Sequence, residues 1–168
     1  MISLQITDVK DFMYQLLKTE LFDHFLMPEA VITTAVTYHV DGHLNTSFYS
    51  EDELEILGLK NLSAAPFSLL RANCFELIKG KRTPSYFKFV FMLSPENLKN
   101  TLLSIKSPFT ENDISGVYLN LHYQNQTLTC TTGISYQIFS TDRSFENEWD
   151  ALVCRFLKNH GISYEILS

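Results

Sequence analysis

The sequence predicts an α+β domain built as two like halves. Three observations carry this reading. Apolar residues switch several times between period-two and helical spacing. Each half ends on a helix stopped by a glycine, Gly80 and Gly161. Hairpin tips expected at 41–42 and 125–126 lie 84 positions apart in a chain of 168 residues. The order is strand–helix–hairpin–helix, twice, over approximately 1–80 and 85–161, with a closing strand at 162–167. All of it forms one domain, residues 1–168.

Each element has a local reason. Ile2, Leu4 and Ile6 alternate with Ser3 and Gln5 as a short strand. Thr7 or Asp8 caps a helix whose Val9, Phe12, Met13, Leu16 and Leu17 recur on one face. Residues 31–40 read as a strand with Ile32, Val36, Tyr38 and Val40 on one side. A three-residue loop ending at Gly42, with positive φ there, returns it through Leu44, Thr46 and Phe48. Ser50 and Glu53 form a capping box for a short helix, and 57–65 is loop. Pro66 opens a helix through Leu69, Leu70, Cys74, Leu77 and Ile78. Residues 86–93 are a strand, and Ser94-Pro95-Glu96 starts the next helix. Val117, Leu119, Leu121 and Tyr123 turn back at Asn125-Gln126, pairing Tyr123 with Leu128 and Leu121 with Cys130. Trp149, Leu152, Val153, Phe156 and Leu157 mark the last helix.

Composition narrows the chemistry by elimination. Thirteen Lys+Arg against 19 Asp+Glu leave a net charge of −6, which argues against coating nucleic acid by bulk charge. No apolar stretch is long enough to span a membrane, and no signal peptide is visible. Three widely spaced cysteines without a C-x-x-C fit a reducing compartment, so a cytoplasmic location is expected. Motifs of nucleotide, zinc-protease, hydrolase and calcium sites are absent, and no cofactor is expected.

Charge is nevertheless uneven. Arg71, Lys79, Lys81, Arg82 and Lys88 fall in one 18-residue window opposed only by Glu76. A basic loop after a helix end presents point charges and a planar guanidinium, able to hold a phosphate, a nucleic-acid backbone or an acidic partner. The plainer reading makes it a solvated connector in which Lys79 complements the helix dipole. His39 and His43, opposite each other in the expected hairpin and close to Asp41, are weak metal candidates with no third ligand to name. Their plainer reading is a pair of exposed strand-end histidines. Cys130 is read as a core cysteine, and Glu51, Asp52, Glu53 and Glu55 as a solvated helix start.

Five segments carry a resemblance along the whole chain: Asp23-His24-Phe25-Leu26, Asp41-Gly42-His43-Leu44-Asn45, Ile78-Lys79-Gly80-Lys81-Arg82-Thr83-Pro84, Leu93-Ser94-Pro95-Glu96-Asn97 and Thr127-Leu128-Thr129-Cys130-Thr131-Thr132-Gly133. In these the chain resembles a family of uncharacterised proteins of clostridial bacteria, which brings no known activity and no functional residues. The repeated strand–helix–hairpin also looks like one domain of a DNA sliding clamp. This chain departs from that pattern in length, in the helices that follow its hairpins, and in the mixed charge of the helices that would face DNA.

The leading expectation is a non-enzymatic binding or adaptor protein that engages nucleic acid or an acidic protein segment through Lys79, Lys81 and Arg82, with Arg71 beside them. One rival is an enzyme on a small phosphorylated or carboxylated substrate, holding its anion on the same loop and using a histidine as acid or base. Another is an oligomeric structural protein whose copies pair through the 162–167 strand.

Overall fold

A computed structural model describes residues 1–168. Seven strands form one antiparallel sheet: β1 (Ser3–Ile6), β2 (Leu26–Thr33), β3 (Thr37–Asp41), β4 (Tyr86–Met92), β5 (Ile114–Gln124), β6 (Thr127–Tyr136) and β7 (Tyr164–Ile166). Five helices accompany it: α1 (Val9–Lys18), α2 (Glu51–Ile56), α3 (Phe67–Ile78), α4 (Pro95–Ser104) and α5 (Ser144–Asn159). The chain is thus α+β, and strand–helix–hairpin–helix recurs along it. The strand order β3-β2-β4-β5-β6-β1-β7 gives the two opening strands different surroundings. β4 lies between the two hairpins, whereas β1 lies beyond β6 and against β7.

The sheet has a covered and an open face because side chains alternate along each strand. Leu4, Ile6, Ala30, Ile32, Phe87, Phe89, Phe91, Leu119, Leu121, Leu128 and Cys130 point one way and are buried. Phe12 and Leu16 of α1, Phe67 and Cys74 of α3, Leu98 and Leu102 of α4, and Phe145, Trp149, Val153 and Leu157 of α5 pack onto them in one core. The other face carries no helix. Across it run His39, Val31, Lys88, His122, Thr129, Gln5 and Glu165 in register.

Local signals behave as their chemistry requires. Asp8 caps α1 by accepting from the Asp11 amide, and Ser50 and Ser94 do the same for α2 and α4. The β5–β6 turn is two residues long, with Asn125 at φ 53° and Gln126 at φ 61°. Those angles belong to the turn type whose twist suits a hairpin, and they pair Tyr123 with Leu128 as expected.

The first hairpin is a correction. It turns at 34–36, where the Thr34 amide donates to the Val36 carbonyl, and pairs Thr33 with Thr37 and Ile32 with Tyr38. Leu44, Thr46 and Phe48 form no return strand, residues Thr46–Phe48 being a 3-10 turn, and the 84-residue spacing of tips disappears. Pro28 concealed the true start of β2. It lacks an amide proton and sits where the β2–β4 register shifts, a position that tolerates proline inside a strand. Gly42, expected to turn the chain at positive φ, has no positive φ. Its job is close approach: a Cβ there would lie 1.7 Å from the Met27 carbonyl oxygen.

Candidate functional site

The basic loop meets α1 in space. α3 ends at Ile78, Lys79 is its C-cap, and Gly80 at φ 146° bends the chain toward β4. α1 starts from the same end of the sheet, since Ile6 pairs with Leu128 and Leu128 with Tyr123. Between them lies a groove of about 460 Å³ lined by Val9, Lys10 and Met13 of α1, Ile78, residues 79, 80 and 82–84, and Phe87 and Tyr123. Its floor is apolar, and its rim carries Lys10, Lys79 and Arg82. No carboxylate and none of the five histidines lines it.

The four basic residues expected to act together separate into two groups. Lys79, Lys81 and Arg82 are exposed, with Lys79 and Arg82 on the groove and the Lys79 ammonium 2.6 Å from Glu76. Arg71 lies elsewhere: it does not line the groove and is paired with a carboxylate instead. Its Nε donates to Asp23 Oδ1 at 2.9 Å and its Nη2 to Oδ2 at 3.3 Å. Asp23 is buried, so this two-point pair ties the turn after α1 to the start of α3. Removing one partner strands a largely desolvated charge. Arg71→Ala is therefore expected to destabilise the fold by about 2–4 kcal/mol in urea titration. Lys10, which no sequence pattern linked to residues 79–82, is the cation that the reading missed.

The histidines also change place. His39 pairs with Val31 across β2–β3, and His43 bridges to Ala64, so they do not face each other. With Glu29 and Asp41 they line a hollow of about 330 Å³. His43 Nδ1 lies 2.6 Å from Asp41 Oδ1, and the His43 amide donates to the same oxygen at 3.0 Å. The amide first, and the ring second, hold the Asp41 carboxyl below its usual range. Glu29 is taken by the Lys88 ammonium at 3.1 Å. No group of three or more His, Cys, Asp or Glu side chains is arranged to hold a metal ion.

Asp41 and Glu29 face the open side of the sheet, whereas Phe87 and Tyr123 of the groove face the helices. The sheet stands between the imidazole–carboxylate pair and the basic rim. Burial pushes the Cys74 and Cys130 thiols up to about 12, leaving almost no thiolate at neutral pH on either.

No helix is long and apolar enough to cross a membrane. No curated protein and no solved structure matches the chain. The model of one family does, over residues 15–165, a span that includes the whole 79–84 loop and the His43–Asp41 pair. The chain therefore belongs to that family, DUF5721, a family of unknown function.

Proposed function

We propose that this protein is a binding module that holds an acidic protein segment with apolar side chains in the groove between α1, α3 and the 79–84 loop. The observation that carries the reading is the composition of that groove: an apolar floor of Val9, Met13, Ile78 and Phe87 under a rim of Lys10, Lys79 and Arg82. Burying apolar side chains on the floor supplies affinity, and the cations orient and select the anionic flanks. The volume suits two or three side chains of an extended or helical peptide.

A nucleic-acid backbone fits less well. Phosphate binding draws on many cations, and here the rim offers only Lys10, Lys79 and Arg82 on a chain of net charge −6, with Arg71 taken by Asp23. The enzyme reading asks for a histidine or carboxylate beside the held anion, and the groove lining offers neither. The clamp-like order of elements contributes nothing to either side.

The test is fluorescence anisotropy with a labelled peptide of Glu and Asp interspersed with Leu and Phe, beside single- and double-stranded DNA and RNA. The wild-type chain is expected to bind the peptide, more weakly as salt rises. Replacing Lys79, Lys81 and Arg82 together by alanine should weaken binding about tenfold or more, because charge-assisted contacts are lost. Peptide binding untouched by the triple variant, or salt-sensitive binding to nucleic acid without peptide binding, overturns the proposal.

A further inference from the structure

The segment that follows β3 is built at the surface and contributes little to the fold. Ser50 accepts from the Glu53 amide, and Glu51, Asp52 and Glu53 occupy the positive end of α2, so the helix has local reasons to form. Six residues is nevertheless far below the length at which a helix is stable alone. Such a helix is ordinarily held by an apolar face on the core, but no residue of α2 is buried. Phe48, Ile56 and Leu57 are instead 76%, 83% and 52% exposed. Single exposed apolar residues are common; three large ones within ten positions, interleaved with Glu51, Asp52, Glu53 and Glu55, make a different surface.

That surface is the chemical complement of the groove. One presents apolar side chains flanked by carboxylates, the other an apolar floor flanked by Lys10, Lys79 and Arg82. They lie at opposite ends of α3. The acidic segment is tied down where His43 bridges to Ala64 and Leu44 donates to the Ser63 carbonyl, just before α3 begins. The groove opens where α3 stops. The 12 residues of that helix separate them by about 18 Å, so one chain cannot fill its own groove.

We propose that a second copy of this chain is the partner: the 48–57 segment of one molecule docks in the groove of the next. This rests on the reading of the groove given above. The two patches differ, so the contact is head-to-tail, and repetition closes a ring or extends a chain of molecules. A chain of net charge −6 repels its copies, and local complementarity at this one contact overcomes that repulsion.

Charge exchange on the full-length protein tests it. Sedimentation velocity of the wild type should show association that grows with concentration and weakens with salt. One variant carries Lys79→Glu and Arg82→Glu, the other Asp52→Lys and Glu55→Lys. Each alone should associate at least about tenfold more weakly, since like charges then face each other. Mixed in equal amounts, they should regain association, because each reversed patch meets its new complement. Circular dichroism on each variant confirms that the fold survives.

A wild type that binds the acidic peptide but stays monomeric overturns the second-copy proposal and leaves the groove reading standing. Failure of both binding and association overturns the two together. Association that the mixture does not restore assigns it to another surface, such as the sheet edges at β3 and β7, and overturns the docking.

Discussion

Gly42→Ala is expected to destabilise the protein by about 3 kcal/mol or more, a large fraction of a domain's stability. Three pieces of backbone cross at this residue. Its amide donates to the Pro28 carbonyl at 2.9 Å, its carbonyl accepts from Ala65 at 2.8 Å, and the Ala65 carbonyl accepts from Met27 at 2.8 Å. An added methyl would lie 1.7 Å from the Met27 oxygen and 2.9 Å from the Met27 carbonyl carbon. Both atoms are backbone inside a paired strand, so relief requires moving β2 itself. Ala64 and Ala65, fully or nearly fully buried beside the crossing, show that the whole approach depends on small side chains. Gly133→Ala is the control. It meets nothing within 4 Å and has no positive φ, so its stability change should stay within about 0.5–1 kcal/mol. Urea midpoints of the two variants separate steric exclusion from a general effect of losing glycine.

Phe91→Ala should cost about 3–5 kcal/mol, a large share of the ~5–15 kcal/mol that holds a domain together. Phe91 is fully buried near the C-terminal end of β4. Its ring lies 5.1 Å from Phe67, 5.5 Å from Phe25, 5.6 Å from Phe22 and 6.1 Å from Phe89. Those partners come from α3, the turn after α1, and β4 itself, so removing the ring leaves a void that no single element can collapse into. Phe91→Leu leaves a smaller void and should lose less. A lowered urea midpoint with unchanged slope is the expected signature, and a loss below about 1 kcal/mol would show that the aromatic cluster relaxes freely.

Elements whose cues are local were legible in the chain: the capped helices α1, α2 and α4, the proline-led α3, and the β5–β6 hairpin with its two-residue turn. The first hairpin was not. Its tip at Thr34, Ala35 and Val36 carries no Gly, Asn or Pro, while Asp41-Gly42 carries the strongest turn signal nearby and serves a different end. Only tertiary contact explains that glycine. The site divides in the same way. Lys79 and Arg82 stand out as a local run of charge, but Lys10 joins them because α1 packs beside α3. Arg71 left the group because Asp23, 48 positions away, arrives at its guanidinium with both oxygens.

The place of β1 in the sheet has a kinetic consequence. Its strand partners are residues 128–131 of β6 and 164–166 of β7, so β1 pairs only with strands made long after it. Until residues 128–131 are made, Leu4 and Ile6 have no neighbouring strand to pair with. Closing so long a loop before any contact rewards it places the molecule among slow folders, with folding times of roughly milliseconds to seconds. The hairpins 26–41 and 114–136, whose pairings are local, can form in advance and present the edge of β6 that β1 completes.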